Sequence, residues 1–317
     1  GRVRRNQASE KQKYTKAKNM RGWKGALLSR PASPHSNATE QGNSTDMETH
    51  IDVRNANKVY HGHRGDVEAI RDFSMQVNEG DLVAIVGPSG CGKTTLLWGL
   101  TGLHHFTGGT AKILGDEVDK PREDVGIIFQ QANLLPWRTL EKNIYFPIEV
   151  MGRDLKDYRH RVAELLQIVG LDGFEDNMPN ELSGGMQQRA SIVRALSYDP
   201  KVLLMDEPFG ALDAYTRDEM DALLLEIWNR TKKTIVFVTH RIEEAVYLAD
   251  RVFVMTPRPA VNSQTFDIDL PRPCTEGILM KQEYFNIVAM IKQRISDDVH
   301  EQKERGEYQS EQYSRQV

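Results

Sequence analysis

The chain is 317 residues long and 39% hydrophobic, enough for a packed core in one large or two modest domains. Its net charge is only −4, and residues 1–46 hold ten Lys and Arg against three Asp and Glu, leaving 31 against 42 for the body, so no nucleic-acid surface is expected there. No apolar run approaches the ~20 residues that cross a bilayer, and Cys91 and Cys274 are too few and too far apart for a disulfide framework or a metal cluster, which fits a reducing compartment.

Residues 1–46 are basic and polar with no apolar period, and read as a disordered extension. Its origin stays open between a tag, translation upstream of Met47 and an Arg-rich targeting segment. The folded domain is expected over residues 47–297. Residues 51–53, 66–70 and 73–77 alternate apolar with polar, the pattern of half-buried antiparallel strands, and Asn78, Glu79 and Gly80 form the turn into the apolar run 82–86. Next come Gly87, Pro88, Ser89, Gly90, Cys91, Gly92, Lys93, Thr94 and Thr95, then an apolar helical stretch to about residue 103. A short strand is expected near 110–114, and another over 124–130 that stops at Gln130.

From 134 to about 198 the spacing turns helical, with Val162, Leu165, Leu166 and Val169 on one face, so a helical subdomain is expected to be inserted here. Within it, Ser183, Gly184 and Gly185 open a helix. A buried strand at 201–207 ends in Asp206 and Glu207, and a further one at 234–240 ends in Thr239 and His240. Between them Met220, Leu223, Leu224 and Ile227 mark an amphipathic helix; a strand at 251–255 follows. Tyr284, Ile287, Val288 and Ile291 form one face of a C-terminal helix, and residues 298–317 read as a polar tail. Strands separated by helices give an α/β fold with a mostly parallel sheet and ligands at the carboxyl ends of its strands.

Four of the expected strands deliver polar chemistry at those ends. Strand, glycine loop and helix in that order make residues 87–95 a polyphosphate nest, in which Lys93 brings charge to the terminal phosphates and the Thr94 hydroxyl is placed for Mg²⁺. Asp206 is a second Mg²⁺ ligand, Glu207 can polarise a water, and His240 lies at the same sheet edge, in reach of the γ-phosphate. Gln130 is placed to contact Mg²⁺ or the lytic water. Cys91 reads as a small filler of the loop.

Taken together and in this order, residues 87–95, Gln130, 182–186, 204–208, 211–213 and His240 resemble the ATP-binding cassette (ABC) transporter ATPases over roughly residues 50–297. The resemblance implies a P-loop, RecA-like core with an N-terminal antiparallel β-subdomain and an inserted helical subdomain, and ATP and Mg²⁺ as cofactors. It also makes residues 182–186 the signature loop, whose Ser183, Gly184 and Gly185 meet the γ-phosphate held by the opposite subunit of a head-to-tail dimer. Met186 stands where the family usually has Gln. Tyr60 resembles the aromatic residue that stacks on adenine, the alternative being a core-packing Tyr, and Asp213 the aspartate that links the two sites across the dimer. Residues 134–140, Asn143, Pro147, 257–259 and 269–273 resemble the importers of nitrate, sulfonate and taurine-type solutes. On that reading, Leu134, Leu135 and Trp137 either meet the permease or pack the helical subdomain.

The function implied is the ATP-hydrolysing subunit of an importer. It would act peripherally, at the cytoplasmic face of the inner membrane, on separate membrane permease subunits and indirectly with a solute-binding protein. The competing function is a non-transport ABC-type ATPase of DNA or protein complexes. That class inserts a long coiled coil between phosphate loop and signature, and here Thr94 and Leu182 are 88 positions apart with no sustained heptads. A small-molecule P-loop kinase would need neither the signature nest nor a dimer.

Overall fold

The computed structural model describes residues 48–62, 65–272, 274 and 276–305. The expected basic extension therefore lies outside the described residues. By its contacts the chain divides into two units. One joins Gly1–Thr39 with Pro271–Pro273, of which only Pro271 and Arg272 are described; the other joins Glu40–Leu270 with Cys274–Val317 and carries every element below.

In β1 (Thr49–Gly62) and β2 (Gly65–Asn78) the alternation works as expected: Ile51, Val53, Phe73, Met75 and Val77 are buried, while Arg54, Ser74 and Gln76 face outward. The two pair antiparallel with register shifts along β1. After β3 (Leu82–Val86) and α1 (Lys93–Leu100), β4 (Gly108–Ile113) pairs with β1, and β5 (Asp116–Glu117) with β4, giving a sheet of order β2-β1-β4-β5. The first helix ends at Leu100, short of the expected 103, where Gly102 turns to a left-handed φ of 73°.

The central sheet takes β3, β6 (Val125–Ile128), β7 (Val202–Asp206), β8 (Thr234–Thr239) and β9 (Arg251–Met255), all parallel, and β10 (Asn262–Asp267) antiparallel at one edge, in the order β10-β9-β3-β8-β7-β6. Burial on both faces explains the unbroken apolar runs. Along β3, Leu82, Ala84 and Val86 enter the core shared with most of the helices, while Val83 and Ile85 enter the one shared with the antiparallel sheet and α1. The edge strand β10 goes unread in the sequence because Phe266 is its one buried side chain.

The inserted region holds α2 (Leu140–Val150), α3 (Arg159–Ile168) and α4 (Gly184–Leu196). Residues 134–139, expected to be helical, form a loop instead. The fully buried Asn143 captures it: Oδ1 accepts from Leu135 N–H at 2.7 Å, and Nδ2 donates to the carbonyls of Leu135, Arg138 and Thr139 at 3.0–3.1 Å. Beyond it come α5 (Ala214–Thr231), α6 (Ile242–Leu248) and α7 (Gln282–Glu304). The last helix buries Tyr284, Val288 and Ile291 and then runs past the boundary expected at 297. Its extra turns are held by polar anchors: Asp298 accepts from Arg294 and, at 2.9 Å, from Ser263, and Gln302 donates to the Pro257 carbonyl at 3.0 Å. A polar sequence hides such anchors, so the segment reads as a tail.

Candidate active site

The strand order β3-β8-β7-β6 decides the site. Because these four strands are parallel neighbours, the glycine loop after β3, His240 after β8, Asp206 and Glu207 at the end of β7, and Gln130 after β6 emerge side by side on one sheet edge.

The loop can curl only with glycine at two points. A Cβ on Gly87 would sit 2.7 Å from the Met255 carbonyl oxygen, and Gly92 adopts a φ of 126° as it caps α1. Inside the curl Lys93 is 5% exposed, its Nζ donating to the carbonyls of Gly87 at 2.9 Å and Pro88 at 3.1 Å. Cys91 is buried in the wall, its thiol pushed up by burial, as befits a filler. Ser89 and Gly90 are exposed at the tip, and Arg258 donates to the Gly90 carbonyl at 3.0 Å.

One residue on, the Thr94 hydroxyl donates to Asp206 Oδ1 at 3.0 Å. Burial raises the Asp206 carboxyl, the Thr94 hydrogen bond opposes that, the charge of Glu207 adds to it, and Lys93 opposes it again. Two hard oxygen donors, a hydroxyl and a carboxylate, on a largely buried wall fit Mg²⁺, which takes few protein ligands and completes its shell with phosphate and water. Glu207 is held at φ 43°, a left-handed conformation rare outside glycine, by its N–H to the Val238 carbonyl at 3.0 Å and by Gly210 N–H to its own carbonyl at 3.0 Å. That turn aims Oε2 at His240 Nδ1, 3.0 Å away. Gln130 Nε2 and Glu207 Oε2 flank Gly210, at 3.3 and 3.4 Å from where its Cβ would stand, so Gln130 joins the same edge. Thr95 lies behind the loop and accepts from the Tyr60 hydroxyl at 3.4 Å. Tyr60 is half-buried, with Lys58 Nζ 5.0 Å from its ring centre.

The second anion nest is separate. Ser183 caps α4 through its hydroxyl, which accepts from Met186 N–H at 3.3 Å, and Met186 turns its side chain onto the core. Ser183 and Gly184 are exposed, and nothing lies within 4 Å of where a Gly184 Cβ would be. Among the described residues no hydrogen bond joins this nest to residues 87–95. Asp213, also exposed, caps α5, accepting from Thr216 N–H at 3.1 Å and from the Thr216 hydroxyl at 2.7 Å, which hold its carboxyl below the ordinary range.

Sequence reasoning missed what ties the Gln130 loop to α4. Gln188 donates to the Phe129 carbonyl at 3.3 Å, and Arg194 to those of Ala132 at 2.7 Å and Asn133 at 2.8 Å. Helical spacing places both residues on α4, but nothing in it signals which loop they reach.

A polyphosphate loop after β3 and a pair of carboxylates at the end of β7, on the same edge of one parallel sheet with β8 between them, define a P-loop nucleoside triphosphatase. A family model described as ABC transporter matches residues 70–210. The chain is 43% identical over 233 residues to an aliphatic sulfonates import ATP-binding protein of Bacillus cereus, covering 74% of this chain and 92% of that one. To a nitrate import ATP-binding protein of Synechocystis it is 42% identical over 222 residues, covering 70% and 84%. A dimeric ATP-binding cassette solved in a post-hydrolysis state with ADP and Pi superposes with a TM-score of 0.61 at 30% identity, covering 69% of this chain and 98% of that one. The chain belongs to the ATP-binding subunits of ABC transporters, and it is an ATPase. Among the described residues no helix is long and apolar enough to cross a membrane.

Proposed function

We propose that the chain energises import of a small sulfonate, taurine-like or nitrate-like solute, as a head-to-tail MgATP-bound dimer seated on permease subunits at the cytoplasmic face of the membrane. The carrying observation is the identity of 42–43% to two import ATPases over 84–92% of their lengths. In this reading Lys93 and the loop N–H groups hold the β- and γ-phosphates. Mg²⁺ at Thr94 and Asp206, with Gln130, would neutralise charge on those phosphates. Glu207 takes the proton of the attacking water, and His240 Nδ1–H, donating to Oε2, holds that carboxylate in place and leaves Nε2 for the γ-phosphate. Ser183, Gly184 and Gly185 of the second subunit close over the same phosphate, Asp213 lies by the dimer seam, and Tyr60 faces adenine.

Trp137 supports the permease side of the reading. It is 72% exposed at the tip of the loop that Asn143 pins, seven residues after Gln130, so it is no part of the subdomain core. Leu134, by contrast, packs on that core. A solute-binding protein would deliver cargo to the far side of the permease. The test is purification of the chain with its permease, reconstitution, and uptake of taurine, an alkanesulfonate and nitrate. ATP-dependent uptake of one of them is expected. Failure of all three with an intact complex overturns the solute class, and an ATPase stimulated by DNA instead of a permease favours the non-transport reading.

A further inference from the structure

His240 reaches Glu207 from a loop only two residues long, His240 and Arg241, between β8 and the start of α6, and that loop is clamped from behind. Arg241 N–H donates to Thr239 Oγ1 at 3.0 Å, and the Thr239 hydroxyl in turn donates to Glu244 Oε2. The first bond closes a turn around His240, and the second ties that turn through Thr239 to Glu244 of α6. Thr239 and Glu244 are 2% and 5% exposed, so the bond between them is shielded from water, where a hydrogen bond to a carboxylate is strong. Helix α6 is held on its other side by α7: the Tyr284 hydroxyl donates to the Glu243 carbonyl at 3.0 Å, and Lys292 pairs with the Glu243 carboxylate at 2.6 Å. Glu244 thus has a fixed base.

A second carboxyl group shares the wedge. Asp221 on α5 is 7% exposed, and its Oδ1 has no hydrogen-bond partner among the described residues. Arg217 and Asp218 act on it from its own helix, Arg241 and Glu244 from the α6 segment, and Tyr284 shares its surroundings from α7. Glu244 is faced by Thr239, Arg241, Arg217 and His240. Burial raises both carboxyls above the ordinary range, and the charge of Glu244 adds to the rise of Asp221. Arg241 and Arg217 pull both carboxyls down, but burial outweighs them, so ionising Asp221 beside a charged Glu244 is costly.

We propose that Glu244 is a positioning residue for ATP hydrolysis, clamping the backbone around His240 through the Thr239 hydroxyl, and that Asp221 behind it makes the clamp sensitive to a single proton. This rests on the reading of Glu207 and His240 as the hydrolytic pair. With Asp221 protonated, Glu244 keeps the charge and accepts from Thr239. When Asp221 loses its proton, two buried carboxylates repel, the wedge opens, and His240 loses its fixed approach to Glu207.

The test uses full-chain variants, with steady-state hydrolysis across pH and binding of a fluorescent ATP analogue. Thr239→Val should lower kcat about tenfold with nucleotide affinity within about twofold, and Thr239→Ser should rescue it. Wild-type kcat should fall on the alkaline side, and Asp221→Asn should hold its rate there. Glu244→Gln, whose amide oxygen still accepts from Thr239, should lose the same alkaline fall; it serves if Thr239→Val does not fold. A merely structural role would reduce active protein equally at every pH. Wild-type kcat in Thr239→Val, with His240→Ala inactive, overturns the clamp. An unchanged alkaline fall in both Asp221→Asn and Glu244→Gln overturns the proton dependence. Full hydrolysis by His240→Ala overturns the hydrolytic reading beneath both.

Discussion

Glu207 carries the residue-scale argument, because its left-handed backbone and its bond to His240 serve no packing purpose. Glu207→Gln should bind ATP normally and hydrolyse it at least about a hundredfold more slowly, measured as phosphate release. Lys93→Ala should instead abolish binding of a fluorescent ATP analogue, since it empties the nest of its only ammonium. Asp206 makes a prediction of opposite sign for stability. Its carboxyl is raised in the fold, so its contribution to stability is present below the unfolded value, ~3.9, and is lost as pH rises through the raised value. Above that raised value the folded protein bears the cost of the buried charge. Asp206→Asn should raise the melting temperature of the nucleotide-free protein more at alkaline than at acid pH while suppressing MgATP hydrolysis; a melting temperature unchanged or lowered at alkaline pH would refute the electrostatic account. The motif residues were legible because each stands at the end of an apolar strand, where the sequence changes character within one position. Arg258 was not, since its contact with Gly90 spans 168 positions and depends on β9 lying beside β3.

At the scale of elements, buried polar side chains explain the departures from expectation. Asn143 turns residues 134–139 from helix into a pinned loop, and Asp298 and Gln302 extend α7 past an apparent boundary. Periodicity analysis registers apolar faces and is blind to a single Asn or Asp that fastens a segment by hydrogen bonds. The two classes of side chain separate cleanly by experiment. Asn143→Ala leaves several buried backbone groups without partners and should cost about 1–3 kcal/mol in denaturant unfolding. Trp137→Ala, on an exposed tip, should leave the melting temperature and the basal ATPase unchanged and weaken binding to the permease. A clear drop in stability for Trp137→Ala would return that residue to the core and move the coupling surface elsewhere. Ending the chain after residue 297 should lower the melting temperature, because Arg294 and Ser263 lose Asp298; an unchanged value would make the last turns of α7 dispensable.

The whole molecule poses the question of where the second half of each site comes from. One chain carries a phosphate loop at the sheet edge and an exposed anion nest at the start of α4, with no hydrogen bond between them among the described residues. A head-to-tail pair would satisfy both at once, with each nest closing the other subunit's loop and the two interfaces equivalent by symmetry. Mixing inactive variants tests this without a structure of the dimer. Lys93→Ala disables the loop alone. Gly184→Asp disables the nest alone: its Cβ meets nothing within 4 Å, so the fold tolerates it, and its carboxylate repels a phosphate. Each variant by itself should be nearly inactive. In an equal mixture about half the dimers are mixed, and in each of those one site combines both lesions while the other is wholly wild-type, so about a quarter of wild-type hydrolysis should return. If the nest served its own chain's loop, every site in the mixture would carry one lesion, and no activity would return at any ratio.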